Sequence, residues 1–272
     1  MATAGIAPAN RFVIANRGIQ LYMIKEDMAR DPAGTLKQLG SMGYTQLESY
    51  GSDKGIFWGY TNTDFKKLAA DNNLTLVSSH HNPCPLAEFD KLAAEAAAIG
   101  MKQLICPWIG PQKTIEPFKR AADDFNTRGA ICKKYGLKYG YHPHGYPYKK
   151  VQGQLPIDVL LANTDADLVE YQMDVYYAVT EGINPYTYMQ KYKGRFTSMH
   201  LRDVLKQRLP KDSEEESACD LGTGIINFPK LLTAAKANGA KYFFVEQSRY
   251  YHETPLQSAK INAAYLKKLS LT

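Results

Sequence analysis

The sequence predicts a single (β/α)8 barrel of the TIM type. Three observations carry that expectation. Short β-favouring runs alternate with longer helical stretches eight times between residues 17 and 269, and such alternation builds a parallel sheet with helical crossovers. Eight units in roughly 250 residues is the size of a closed barrel. No G-x-G-x-x-G follows the first strand, which argues against the competing arrangement, a doubly wound open sheet. No composition break or internal repeat divides the chain, so residues 17–272 are expected to form one barrel domain behind a flexible, Ala-rich tail at 1–16.

The first strand is expected at 17–24 (RGIQLYMI), where the pattern alternates. Asp31 suits the cap and Pro32 the first position of a helix running to Met42, and Gly43 closes it. Residues 44–50 (YTQLESY) read as the second strand and 61–72 as its helix. The third strand, 74–81 (LTLVSSHH), ends in two histidines and precedes an Ala-rich helix over 86–99 that stops at Gly100. The fourth, 102–108 (KQLICPW), leads into a long helix over 115–135 that stops at Gly136. The fifth, 138–144 (KYGYHPH), again ends in histidines, and a shorter helix over 156–163 follows. The sixth is 168–176 (LVEYQMDVY), with a helix over 185–193 broken at Gly194. The seventh is 196–203 (FTSMHLRD). A long polar loop from Val204 to Gly224 holds an acidic run at 214–216 and a Leu-Gly-Thr-Gly turn. A helix over 228–238, an eighth strand at 242–248 (YFFVEQS) and a closing helix over 254–269 complete the series.

Composition narrows the function classes. The 272 residues are 44% apolar and 22% charged, ordinary for a globular chain able to bury a sizeable core. The formal net charge of +6 is spread along the chain, which is not the footprint of a dedicated nucleic-acid binder. No run of about 18 apolar residues suggests a membrane span. Cys84, Cys106, Cys132 and Cys219 form no C-x-x-C pair, so they read as buried thiols. The opening residues lack a charged and apolar leader pattern. The expectation is a cytoplasmic protein by default, and a periplasmic one if a native export signal was removed ahead of Met1. Assembly into a homo-oligomer stays open.

In a barrel of this kind the chemistry sits at the C-terminal ends of the strands. The polar groups fall there: Glu48 on strand two, His80 and His81 on three, Trp108 on four, His142 and His144 on five. Asp174 on six, His200 and Arg202 on seven and Glu246 on eight continue the series. Five of the six histidines lie at strand ends; the sixth is His252. Each alone reads as a hydrogen-bonded structural histidine, but the set reads as a site. Asp174, Glu246, His142 and His200 stand on four successive strands, where they can converge on one divalent ion. A mixed N/O donor set suits Mn²⁺, Co²⁺, Fe²⁺, Zn²⁺ or Mg²⁺. Carboxylate beside metal suits proton abstraction alpha to a carbonyl, with Glu246 and His142 as the candidate catalytic groups. Glu48, His80, Trp108, His144 and Arg202 are the candidate contacts to a polyhydroxylated small molecule, with Trp108 offering a face for a sugar ring. No G-x-S-x-G supports a serine nucleophile.

Six segments carry a resemblance: Gly-Tyr-Thr-Gln-Leu-Glu (43–48), Tyr-His-Pro-His (141–144), Met-Asp-Val-Tyr-Tyr-Ala (173–178), the 195–203 run, Leu-Gly-Thr-Gly-Ile-Ile-Asn-Phe (221–228) and Phe-Val-Glu-Gln (244–247). With them the chain resembles, over 18–269, the xylose isomerase-like barrel superfamily (AP endonuclease family 2-like), in its sugar phosphate isomerase/epimerase branch. The resemblance implies one divalent metal held at the ends of strands five to eight, here by His142, Asp174, His200 and Glu246. It also marks a departure. Many epimerases place a glutamate on strand five as ligand and acid/base, and this chain has His142. That favours a one-base reaction with Glu246: isomerisation, dehydration or β-elimination from a 3-keto-glycoside. His144 competes with His142 as the strand-five ligand.

The same residues admit other readings. Asp174 and Glu246 could form buried ion pairs with Arg202 or Arg249, and Arg202 could pair with Asp203 instead of a substrate anion. A DNA-repair endonuclease of the related branch would need about three metals and a basic groove. A non-catalytic sugar-binding barrel would keep the pocket without the chemistry. The Gly222–Thr223–Gly224 turn offers a weak phosphate cradle.

Overall fold

The computed structural model describes residues 12–14, 16–207, 217–250 and 254–271. Eight parallel strands close on themselves, as the sequence predicts. They are β1 (Gly18–Gln20), β2 (Gln46–Ser49), β3 (Thr75–His80), β4 (Gln103–Cys106), β5 (Lys138–Tyr141), β6 (Val169–Asp174), β7 (Phe196–Leu201) and β8 (Tyr242–Val245). Closure pairs Phe244 with Gly18 and Val245 with Ile19. Gly18 permits it: an added Cβ would lie 2.6 Å from the Phe243 carbonyl oxygen.

Eight helices form the outer ring: α1 (Pro32–Met42), α2 (Asn62–Ala70), α3 (Leu86–Ala98), α4 (Glu116–Lys134), α5 (Pro156–Asn163), α6 (Pro185–Lys191), α7 (Phe228–Ala237) and α8 (Pro255–Lys268). Their starts and stops follow the local chemistry. The Asp31 carboxylate accepts from the Gly34 amide at 2.9 Å, Pro32 opens α1, and Gly43 ends it at φ 95°. Thr254 and Gln257 make a reciprocal capping box on α8. Between strands and helices lies the apolar core, including Leu36, Leu47, Phe65, Phe89, Phe125, Leu160 and Leu231.

Three segments differ from expectation. The first strand stops at Gln20, whose side chain accepts from the Tyr22 amide and starts a 3-10 turn over Leu21–Ile24 and a helix over Lys25–Arg30. The sixth strand stops at Asp174, whose carboxylate caps a helix over Val175–Thr180. In the loop after β7, Asp203–Val204 pairs antiparallel with Ala218–Cys219. The acidic run at 214–216 and His252 lie outside the described residues. Of the stretch read as a tail, Phe12 and Val13 pair antiparallel with Leu271 and Ser270.

Two register shifts aim the site. Tyr171 pairs with Phe196 but Gln172 pairs with Ser198, so Thr197 is an extra residue in β7. The bulge lets Thr197 and His200 both face the barrel interior, which strict alternation forbids for residues three apart. A matching shift between Leu47 and Glu48 sets Glu48 beside Ser78.

Candidate metal centre

The barrel interior is polar and layered. At its lower level the Glu170 carboxylate accepts from Gln103 Nε2 (2.7 Å) and Thr197 Oγ1 (2.6 Å). One level up, Glu48 is fully buried. Its Oε1 accepts from Gln20 Nε2 (2.8 Å) and lies 2.5 Å from His200 Nε2. Its Oε2 accepts from Ser78 Oγ and from Gln172 Nε2 (2.8 Å). A charge buried this deeply is tolerable only with such a full set of donors.

Above Glu48 the last inward side chains of β5 to β8 converge. His142, Asp174, His200 and Glu246 each offer a ligand atom, and these atoms lie within 4.8 Å of one another in a buried group. His80 joins His142 and His200 in a second, overlapping group. His200 Nδ1 lies 2.7 Å from Glu246 Oε2, which also accepts from Arg202 Nη2 at 2.5 Å. Asp174 Oδ1 accepts from the Tyr176 and Tyr177 amides at 2.8 and 3.4 Å. No hydrogen-bond donor among the described residues reaches its Oδ2, although that atom is buried and lies 3.4 Å from Arg202 Nη2.

The charges are strongly coupled. Burial opposes a charge on His200, yet the Glu246 and Glu48 carboxylates at its two nitrogens raise it to about 10. Burial also opposes charge on Glu246 and Glu48. Arg202 and His200 nonetheless hold Glu246 well below the usual carboxylate range, and His80 and His200 hold Glu48 low. Asp174 runs the other way: burial raises it more than Arg202 lowers it. Burial and the neighbouring His200 push His142 well below an ordinary imidazole. The result is two imidazoles and two carboxylates around one point, with one oxygen of Asp174 under-coordinated. This donor set fits a divalent cation.

Beside the group opens a cavity of about 350 Å³, lined by Tyr22, Tyr50, His80, His142, His144, Arg202 and Glu246 among others. A second hollow of about 300 Å³ adjoins it and shares Tyr22, Arg202 and Glu246. Of the residues assigned to substrate, His80, His144 and Arg202 therefore line the cavity. Glu48 does not: it has no exposed surface and sits beneath the imidazoles. Trp108 is 48% exposed, packs edge-on against His144 and Tyr146, and lines neither hollow. Tyr22 and Tyr50, which sequence reasoning passed over, do line the cavity, in edge contact with each other at 5.0 Å.

Gln172 was also missed. Its Oε1 lies 2.9 Å from His80 Nε2 and 3.0 Å from His142 Nδ1. The signal was in the sixth strand, where Glu170, Gln172 and Asp174 alternate and share one face. Asp203, in contrast, faces away from Arg202 and the metal group. Its two oxygens accept from the amides of Val204, Gly222, Gly224 and Ile226 at 2.8–3.1 Å. The glycine turn considered as a phosphate cradle is thus occupied by this carboxylate.

Comparison with known proteins agrees with the architecture. Residues 36–269 match the model of the xylose isomerase-like TIM barrel family. An inosose dehydratase from Clostridium beijerinckii is 33% identical over 107 residues, 39% of this chain and 35% of that protein. The chain thus spans about a third of the length of this curated relative. A solved sugar phosphate isomerase/epimerase from Parabacteroides distasonis is 27% identical, covers 96% of both chains and superposes with a TM-score of 0.78. The IOLI protein, solved with a bound zinc atom, shares the fold at 16% identity, with 92% of this chain and 97% of that one covered and a TM-score of 0.71.

Proposed function

Because the chain belongs to the xylose isomerase-like TIM barrel family, we propose that it is a divalent-metal-dependent enzyme that abstracts a proton alpha to the carbonyl of a polyhydroxylated, carbohydrate-like substrate. One observation carries this reading: four buried ligand groups from four successive strands meet within 4.8 Å beside a cavity of substrate size. His142, Asp174, His200 and Glu246 would hold the ion. Bound there, it would supply positive charge to polarise the substrate carbonyl and stabilise the developing negative charge.

The chain's own residues supply the rest. Glu246 is ionised, lines the cavity and serves as the base for the alpha proton. The C–H electron pair passes into the carbonyl and yields an enediol-type species. Arg202, beside Glu246, offers positive charge and donors to substrate oxygens. His80 and His144 offer imidazoles to hydroxyls, and Tyr22 and Tyr50 offer ring faces to the sugar. Passage of the alpha hydroxyl proton to the former carbonyl oxygen, with return of the abstracted proton by Glu246 to the former carbonyl carbon, gives isomerisation.

A second reading is β-elimination, as in a dehydratase or a 3-keto-glycoside lyase. His142 leaves the strand-five position without the second carboxylate that proton transfer on two faces calls for, and so suits elimination as it suits one-base isomerisation. The dehydratase relative supports the same reading. Here the abstracted C–H pair ends in a double bond between the alpha and β carbons, the β-oxygen leaves with the pair of its C–O bond, and the proton held by Glu246 goes to that oxygen.

The test is turnover of free sugars, sugar phosphates, inososes and 3-keto-glycosides by metal-free protein and by protein reconstituted with Mn²⁺. Metal-dependent turnover of one class supports the proposal and names the reaction. A protein that takes up no stoichiometric divalent ion and turns over none of them contradicts it.

A further inference from the structure

The central feature is an amide beneath the metal group. Gln172 stands on β6 two residues before Asp174, fully buried, and lines neither hollow. Its side chain bridges Glu48 on β2, His80 on β3 and His142, which follows β5. Which end of the amide faces which partner follows from the network. The Tyr22 amide donates to Gln20 Oε1 at 3.1 Å, so Gln20 turns its NH₂ toward Glu48. Ser78 also donates to Glu48. Glu48 is therefore an acceptor-only carboxylate, and Gln172 must present its NH₂ to it. The Gln172 carbonyl oxygen is then turned toward two imidazoles. An acceptor there requires N–H on His80 Nε2 and on His142 Nδ1.

We propose that Gln172 is a positioning residue: through the Glu48 carboxylate it fixes His142 as the Nδ1–H tautomer, so that Nε2 carries the lone pair available to an ion. Glu48 also orients His200, accepting from its Nε2–H and turning Nδ1 toward Glu246. One buried carboxylate thus orients both ligand imidazoles, directly on β7 and through Gln172 beyond β5. The relay explains how an imidazole serves at a strand-five position: a neutral histidine in the wrong tautomer would turn N–H where an ion needs a lone pair. The inference rests on the metal-centre reading for its purpose, but the tautomer is a property of the chain alone.

Two-bond ¹H–¹⁵N correlation spectra of the full chain, labelled at histidine nitrogens, read the tautomer directly. In the metal-free wild type, His142 should be protonated at Nδ1 and unprotonated at Nε2. Gln172→Met, which fills the same volume without polar atoms, should lose that single state. Its affinity for Mn²⁺ alone, by calorimetry, should fall about 10–100-fold. A wild-type His142 protonated at Nε2 overturns the proposal without recourse to any variant. So does a folded Gln172→Met protein that keeps the Nδ1–H tautomer. If the wild type binds no Mn²⁺, the metal reading fails, and the tautomer spectrum still decides the role of Gln172.

Discussion

His200 Nε2 lies 2.5 Å from Glu48 Oε1, within a barrel interior where neither residue has exposed surface. The other nitrogen faces Glu246 Oε2 at 2.7 Å. An imidazole clamped between two carboxylates cannot rotate, so Glu48 acts on the site from below without touching the cavity.

Glu48→Gln should therefore behave as a ligand-orientation variant. It keeps the volume and removes the acceptor-only charge beneath His200 and Gln172. Divalent-ion affinity should drop about 10–100-fold, the usual cost of losing a partner behind a metal-binding histidine. Calorimetric titration with Mn²⁺ measures it, and unchanged affinity would remove Glu48 from this role.

Arg202→Met should destabilise the metal-free protein. Arg202 faces both Asp174 and Glu246, so its loss leaves the buried Asp174 without its nearest cation and Glu246 with His200 alone. Breaking a buried ion pair from one side costs about 3–5 kcal/mol. Added Mn²⁺ should restore part of that loss and raise the melting temperature more in the variant than in the wild type. Equal metal-induced shifts in thermal melts would count against a shared electrostatic site.

Asp203→Ala should loosen the loop after β7. Four backbone amides would lose their charged acceptor, and hydrogen bonds to a charged group contribute roughly 1.5–3 kcal/mol each before relaxation. A loss of about 3 kcal/mol or more in urea unfolding is expected. Gly224 reinforces the clasp, because an added Cβ there would lie 2.2 Å from the Val204 carbonyl oxygen.

His81 gives the fold a pH dependence on the acid side. Burial, with Arg128 and His80 nearby, lowers it to about 4, while an unfolded chain protonates near the ordinary value of 6.5. Between those values the unfolded state binds more protons. The stability held by neutral His81 is thus complete above about pH 6.5 and is lost as pH falls toward 4, up to about 3 kcal/mol. Urea midpoints measured across that window should fall less steeply in His81→Gln than in the wild type.

Most of the fold was legible because each unit carries its own punctuation. Asp31, Pro32 and Gly43 bound α1 in the sequence as they do in the structure. Strand ends were less legible: Gln20 and Asp174 each turn a side chain back onto the following amides, and alternation alone does not show that. In the site, charged and imidazole side chains stood out, and β5 to β8 bring His142, Asp174, His200 and Glu246 together. Gln20 and Gln172 were not singled out, since a neutral amide acquires meaning only when its partners across the barrel are known. The β7 bulge at Thr197 was invisible for the same reason, because register is a property of two strands.

In the proposed reaction Glu246 removes a proton alpha to a carbonyl at a metal-dependent site. Exchange of that hydrogen with D₂O, read by NMR as deuterium at the alpha carbon or its neighbour in substrate or product across a panel of keto-sugars and inososes, tests it whichever product follows. The wild type with Mn²⁺ should wash deuterium into substrate or product, and Glu246→Gln should lose this by about 10²–10⁴-fold while remaining folded. A Glu246→Gln protein that exchanges at the wild-type rate would contradict the account.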